Sequence, residues 1–169
     1  MANMGIQWAF NAVFKRKHRY LFYIPGVVDD GIGALPPASA ARPSLSFEEF
    51  SVPHLTETIF FPSRPTWQTF QLSLYDVKAS SPVWNWVLQL YNPYQGGYQT
   101  SNVSGGLDYN RYKKTCLLSM LDGCGNTIES WLYENAWCTS ANFNSLSNED
   151  QGVCTVDITL RYDRAYKTS

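Results

Sequence analysis

The sequence predicts an α+β domain that is mainly β: a two-sheet antiparallel β-barrel or sandwich with one flanking helix and a short N-terminal helix. Two observations lead to this fold class. Residues 154–162 alternate between apolar and polar side chains, with Val156, Ile158 and Leu160 on one side, as in a strand buried on one face. Strand-like segments also lie before and after a single internal helix. A parallel doubly wound sheet would need several such alternations.

Length and composition favour one domain over residues 1–169 and exclude several classes of function. Only 16% of the residues are charged, the formal net charge is -1, and 15% are aromatic. Neutral, aromatic surface usually contacts protein, and a dedicated DNA-binding module would carry more positive charge. No apolar run approaches the roughly 18 residues that span a bilayer, and the N-terminus lacks a signal-peptide pattern. We therefore expect a protein that is made and kept in the cytosol.

The N-terminal quarter predicts a helix, a strand and a long loop. Apolar residues at helical spacing predict a short helix over residues 5–14, and the basic run 15–19 follows where a helix C-terminus favours cations. Residues 20–24 are aromatic and β-forming, and Pro25 ends this first strand. Residues 26–44 are rich in proline and glycine, so we predict a surface loop insertion there.

The next segment predicts a strand and a projecting arm. Residues 47–52 form a short strand that Pro53 is expected to end. Residues 54–66 then form an extended arm with an apolar tip that contains Phe60 and Phe61. Apolar rings on a projecting arm need a neighbour, so we predict that both contact another subunit.

The middle of the chain predicts a strand over residues 67–75 and a helix over residues 82–91. The strand alternates, with Phe70, Leu72 and Leu74 on one face. Ser81 can cap the free amide groups of this helix, and proline suits its first position. Beside the core face, the helix carries a second apolar row that contains Trp84 and Leu88. A helix that is apolar on two sides must be covered on two sides, so we assign both residues to a subunit contact.

Residues 92–107 form an uncharged loop, in which Tyr94 is a further predicted contact residue. Strands over residues 115–121 and 127–133 follow, and the Asp-Gly turn between them predicts a hairpin. Residues 135–152 are polar and are predicted to be an irregular connection to the last strand.

Motifs of catalysis or cofactor binding are absent from the sequence, and we expect no enzyme, no cofactor and no metal site. The two histidines lie far apart, and neither a nucleophile elbow nor a phosphate-binding loop occurs. The four cysteines have no C-x-x-C spacing and are expected to be reduced and partly buried, with Cys154 on the face of Val156. Six tryptophans leave a carbohydrate-binding module as an alternative, through an exposed Trp84 or Trp137.

Four segments of the C-terminal half resemble the tail tube proteins of contractile-tailed bacteriophages. They are a basic strand start at 112–114, a hairpin turn with an aspartate at 122–126, a strand that ends in Ala-Trp at 128–137, and a last alternating strand that closes on Tyr-Asp at 156–163. The preceding elements follow in the same order. The resemblance therefore covers most of the chain.

The resemblance implies a two-sheet β-barrel with a flanking helix, related in fold to the type VI secretion tube protein. It implies hexameric rings that stack into a tube, with the joined sheets of neighbouring subunits around a lumen that delivers DNA. Sheath and baseplate proteins would be partners, the tape-measure protein and DNA would pass without specific binding, and the protein would be assembled in the host cytoplasm and reside in the virion. The long loop 26–44 and the short arm depart from the family pattern and leave a baseplate tube-initiator ring as an alternative.

Overall fold

The computed structural model describes residues 14–28, 37–76, 82–94, 97–98, 112–147, 149 and 151–168. The strands in these ranges are β1 (Tyr20–Tyr23), β2 (Ser39–Ala40), β3 (Leu45–His54), β4 (Glu57–Trp67), β5 (Phe70–Tyr75), β6 (Tyr91–Asn92), β7 (Gly97–Tyr98), β8 (Lys114–Leu121), β9 (Thr127–Asn142), β10 (Thr155–Arg161) and β11 (Arg164–Lys167), and the helix is α1 (Pro82–Leu90). Apart from Phe14, the predicted N-terminal helix lies outside the described residues, as do parts of the two predicted loops.

Seven of these strands form one antiparallel sheet in the order β1-β8-β9-β10-β5-β2, with β11 also paired to β9. Strand β9 belongs to two layers. Its first part pairs with β8 and β11, and with β1 these strands form the first layer. Its last part pairs with β10, and with β5 and β2 these strands form the second layer. The predicted mainly β, two-sheet architecture is confirmed, but the described strands form no closed barrel, because β1 and β2 end the path unpaired to each other.

The two layers meet at a bend in β9. Asn135 has a positive φ of 55°, and the pairing of β8 with β9 shifts register beside it. The Asn135 Nδ2 donates to Asp163 Oδ2 at 2.9 Å, and Lys113 Nζ contacts the same carboxylate at 3.1 Å. Asp163 lies between β10 and β11, and Lys113 directly precedes β8. The cluster therefore connects these strands to β9 at its bend. The prediction that residues 135–152 are irregular is wrong up to Asn142, because the polar residues there form the solvent face of a strand.

A cluster of aromatic rings fills the space between the layers. Phe70 lies 4.7 Å from Tyr133 and 5.7 Å from Phe22, measured between ring centroids. Phe22 is on β1 and Phe70 on β5, so the sheet folds over until strands near its two ends touch. The predicted inward rows are confirmed, since Leu72, Leu74, Val156, Ile158 and Leu160 are all buried.

Helix α1 packs against this core. Val83 and Trp86 are buried, and Trp86 Nε1 donates to the carbonyl of Tyr112 at 2.7 Å. The helix ends at Leu90, one residue before its predicted end, because Tyr91 pairs with Tyr98 in a short two-stranded sheet. This pairing occupies the start of the predicted loop 92–107.

Two further boundaries differ from the predictions. The predicted strand over 67–75 is two elements, because Trp67 ends β4 and β5 begins only at Phe70, with Gln68 donating its backbone N–H to Ser44. Within the predicted loop 26–44, residues 39–40 form the edge strand β2.

The cysteines divide by environment. All four are free, as predicted. Cys116 is buried, whereas Cys154 is exposed and precedes β10. The placement of Cys154 on the buried face was therefore wrong, because the strand begins one residue later. Among the described residues, no helix combines the length and the apolar character needed to cross a membrane.

Candidate assembly surfaces

The hairpin of β3 and β4, residues Leu45–Trp67, is an arm that projects from the domain. All of its residues except Thr66 and Trp67 are exposed. It includes the predicted arm 54–66 but is longer, because Pro53 lies within β3 and Pro62 within β4. Each strand of a two-stranded hairpin has a free edge, where the missing N–H of a proline is tolerated. Such a hairpin is marginally stable alone in water, so the arm gains most from a covering partner.

The two faces of the arm differ. The pairs Phe50–Phe61 and Val52–Ile59 lie directly opposite each other and share one face. The rings of Phe50 and Phe61 stack at 5.4 Å. We call these four residues the distal apolar patch. Phe60 pairs with Ser51 and lies on the opposite face, so the two adjacent phenylalanines that the sequence predicts at one contact point in opposite directions.

The root of the arm is fastened to the core. Tyr133 donates its hydroxyl to the carbonyl of Ala41 at 3.2 Å, and Trp67 packs on Tyr162 with ring centroids 5.8 Å apart. Arg42 lies 3.7 Å from the buried carboxylate of Glu129, which also pairs with Lys15. These contacts hold the point from which the arm projects.

The outer surface of the first layer is apolar. One row runs across four neighbouring strands on the side away from the core, and it consists of Tyr23, Leu117, Leu132 and Tyr166. Leu21, two residues from Tyr23 and on the same side, is 52% exposed. We call these five residues the apolar sheet face. The pair Glu134 and Arg164 forms the next row towards the bend and ends the face.

The outer surface of the second layer is polar. Its corresponding four-strand row consists of Ser39, Ser73, Asp157 and Asn142, and the next row consists of Gln71, Thr159 and Ser140. We call these seven residues the polar sheet face. The hydroxyl of Ser73 and the amide of Asn144 donate to Asp157 and hold the pKa of its carboxyl below the usual value. The polar sheet face thus carries one charge among small hydrogen-bonding groups.

The structure distributes the predicted contact residues over separate regions. Phe60, Phe61 and Tyr94 are exposed, Tyr94 by 81%. Trp84 and Leu88 are half-buried. Trp84 packs edge-on against Phe143 at 5.9 Å, which covers part of the second apolar row within the chain itself. Whether any of these five contacts another subunit stays a prediction.

Sequence reasoning missed the apolar sheet face, although a signal for it exists. Residues 115–121 carry apolar side chains at both odd and even positions, a pattern typical of a strand that is covered on both sides. Only one of those sides faces the core, with Cys116 and Leu118 buried.

The described residues offer little for catalysis. They contain no group of three His, Cys, Asp or Glu side chains that could hold a metal ion. Burial raises the pKa of the Cys116 thiol to about 12 and that of Cys138 to about 11, so neither is a ready thiolate nucleophile. Trp137 is half-buried and packs edge-on against Tyr112, and with Trp84 also half-buried neither presents an open platform for a sugar.

Comparisons with known proteins give matches of structure. No family model matches the sequence, and no curated protein gives a significant match. A chain of the anti-feeding prophage cap, the cap that terminates the AFP tube, matches with a TM-score of 0.72 and 18% identity over 94% of this chain and 93% of that chain.

Two other matches extend this likeness. A chain of the sheath-tube complex of an extracellular contractile injection system, PVC, in its extended state has a TM-score of 0.70 and 15% identity over 99% of both chains. Hcp1 from Flavobacterium johnsoniae has a TM-score of 0.50 and 6% identity over 89% of this chain and 94% of that chain. The chain therefore has the fold found in these tube and cap assemblies, which confirms, at the level of the fold, the resemblance expected from its sequence.

Proposed function

We propose that this chain is a structural subunit of the tube of a contractile injection machine and performs no reaction. The observation that carries the proposal is the arm, which exposes apolar side chains on a fold otherwise found in tube and cap assemblies. A monomer with such an arm would be prone to aggregate, whereas a closed assembly of copies would cover it.

The polar sheet face suits the lining of a conduit. Its seven residues carry hydroxyl and amide groups and one carboxylate, and Arg161, the next outward residue of β10, adds a cation at the edge of this face. DNA binds proteins mainly through cationic contacts to its phosphates, so a wall that is poor in cations holds it weakly. In this proposal the polar sheet faces of neighbouring copies surround the lumen.

The finer version of the proposal is a phage tail tube of stacked hexameric rings that delivers the genome. The protein would be assembled in the host cytoplasm and carried in the virion, with sheath and baseplate proteins as partners and the tape-measure protein in the lumen. The order of motifs in the C-terminal half and the domain-length match to the PVC sheath-tube complex support this version.

A single terminal ring is the second candidate. The match to the anti-feeding prophage cap favours a ring that ends a tube, and the long loop 26–44 favours a baseplate ring that starts one. Either ring would share the subunit contacts of a tube but would not stack on itself without limit.

Negative-stain electron microscopy of the purified full-length chain, with light scattering at several concentrations, tests the proposal. We expect rings of uniform size, and stacked tubes at high concentration if the chain builds the tube itself. Isolated rings that never stack would support the terminal ring. A monomer at every concentration, with glycan-dependent quenching of tryptophan fluorescence, would instead support the carbohydrate-binding module and overturn the proposal.

A further inference from the structure

A buried carboxylate lies near the open end of the β8–β9 hairpin. Among the described residues, Glu129 is the only charged side chain that is buried, with 3% of its surface exposed. It pairs with Met120 of β8 and points to the same side of β9 as the core residue Tyr133. A buried carboxylate is tolerated only where cations or hydrogen-bond donors compensate its charge.

The carboxylate of Glu129 has more compensation than one negative charge requires. Lys15 Nζ contacts its Oε2, and Trp131 Nε1 donates to its Oε1 at 2.5 Å. Arg42 Nη1 lies 3.7 Å from Oε1, which is beyond hydrogen-bond range but close enough for a charge interaction. Two cations therefore face one carboxylate, and either of them alone would balance its charge.

The two cations come from segments that are far apart in the chain. Lys15 begins the run of basic residues 15–19, which we call the basic turn, whereas Arg42 lies between β2 and the arm. Both side chains are accessible, since 43% of Lys15 and 61% of Arg42 is exposed. Each cation can therefore leave the carboxylate without opening the core.

The basic turn is held at its other end without Glu129. The carbonyl of Arg19 accepts from the backbone N–H of Leu121 at 3.0 Å. The Arg19 guanidinium also lies over Gly123, where an added Cβ would come within 2.9 Å of Nη1. Loss of the Lys15 contact would therefore free the end of the basic turn that leads to the N-terminus and leave β1 in place. The basic residues of the turn repel one another, which favours that release.

We propose that Glu129 is a latch with two alternative partners, Lys15 and Arg42. In the structure Lys15 holds the carboxylate and Arg42 stands beside it. When the basic turn is released, Arg42 moves onto the carboxylate and keeps its charge paired, so the subunit stays folded. The same exchange draws the root of the arm towards β9, which couples the basic turn to the arm. This inference goes beyond the proposed function, because it concerns a change within one subunit.

Two alternative partners give the latch a thermodynamic signature, which urea unfolding measures. We expect Lys15→Gln and Arg42→Gln each to lower the folding equilibrium constant by less than about 5-fold, because the other cation remains. The double variant leaves the carboxylate buried without a cation and should lose about 100-fold or more. Adding Glu129→Gln to the double variant should restore most of that loss, because no charge is then left unpaired. Single losses that account for the whole loss of the double variant would overturn the latch.

Lys167→Gln is the matched control. Lys167 lies opposite Trp131 on β11 and so adds a cation on the same side of the sheet, one row away from Glu129. Combined with Lys15→Gln, its effect should be additive within about 2-fold. A loss as large as that of the Lys15 and Arg42 double variant would mean that any nearby cation serves the carboxylate, and would overturn the assignment of Arg42.

Limited trypsin digestion measures the release of the basic turn. In Glu129→Gln and in Lys15→Gln, cleavage after Arg16 and Lys17 should be about 10-fold faster than in the wild type at the same protein concentration, with circular dichroism unchanged. Arg42→Gln should leave the cleavage rate within about 2-fold, because Lys15 keeps its contact. Cleavage that is equally fast in the wild type and in Glu129→Gln would overturn the latch.

Discussion

The outer surfaces of the two layers are built alike and differ in chemistry. Each has a row across four neighbouring strands: Tyr23, Leu117, Leu132 and Tyr166 on the first layer, and Ser39, Ser73, Asp157 and Asn142 on the second. Strand β9 contributes to both rows, with Leu132 before its bend and Asn142 after it. A single strand thus contributes to the apolar outer surface of one layer and to the polar outer surface of the other.

This difference shows that the architecture alone does not decide which sheet surface is covered. The same antiparallel pairing supports both rows, so the side chains alone make one surface suited to a protein partner and the other to water. In the proposed assembly the second layer faces the lumen, and the apolar outer surface of the first layer is suited to contact with protein.

Phe70→Ala should have the largest effect, because Phe70 contacts rings that lie beneath both layers. Its loss leaves a cavity in the shared core, and we expect the free energy of unfolding to fall by about 3–5 kcal/mol. Urea unfolding followed by circular dichroism measures this. The matched control is Phe60→Ala on the exposed arm, which should change stability by less than about 0.5 kcal/mol. An equal loss of stability in the two variants would mean that Phe60 is part of the folded core.

Leu132→Lys and Ser140→Lys place the same charge on β9, on either side of the bend. We expect Leu132→Lys to abolish rings, because an unpaired charge buried at a subunit contact carries a large desolvation cost at each interface. Ser140→Lys should leave ring formation intact, because the polar sheet face stays in water. Electron microscopy and sedimentation compare the two variants. If only Ser140→Lys prevents ring formation, the polar sheet face and not the apolar sheet face is the subunit contact.

Asn135→Ala tests the bend that separates the two faces. Alanine at a positive φ is disfavoured by about 1–2 kcal/mol, and the variant also loses the hydrogen bond to Asp163. Asn135→Gly keeps the backbone conformation accessible and loses only the hydrogen bond, so it should cost less. Thermal unfolding of both variants separates the two contributions. An alanine variant as stable as the wild type would show that Asn135 does not hold the bend.

The inward rows of the sheet could be predicted from the sequence, because burial on one side leaves a period of two along the chain. The alternation in β5 and β10 and the Asp-Gly turn between β8 and β9 are confirmed. In that turn, Asp122 accepts hydrogen bonds from the backbone of Cys124 and Asn126. These features depend on neighbours close in sequence, which local patterns record well.

The remaining features depend on contacts that no local pattern records. The second half of β9 was predicted as a loop because its serines, threonines and asparagines are also typical of loops. The arm was predicted too short because proline is a reliable strand breaker only inside a sheet. The apolar sheet face leaves a local signal only in residues 115–121, and its extent requires knowing that Tyr23, Leu117 and Leu132 lie side by side on three strands.

Asp157→Asn should have the smallest effect and tests the pH response of the polar sheet face. The pKa of Asp157 is lowered in the folded state, so its stabilising contribution is present above the unfolded pKa of about 3.9 and is lost as the pH falls through the folded value. Solvent screens this exposed carboxylate, so we expect a contribution below about 1 kcal/mol. The five residues of the apolar sheet face include no carboxyl group and should add nothing in this range. Unfolding measured between pH 6 and about pH 2.5 should therefore show a shallower loss of stability in the variant.

Asn144→Ala is the control for that measurement, because it removes one of the donors that lower the pKa of Asp157 while keeping the carboxylate. The pKa of Asp157, followed by NMR of its side-chain carboxyl carbon, should then rise towards its ordinary value. A pKa that stays unchanged in this variant would assign the whole effect to Ser73, the other donor. An acid response that is identical in wild type and Asp157→Asn would show that the polar sheet face gains no stability from its one charge.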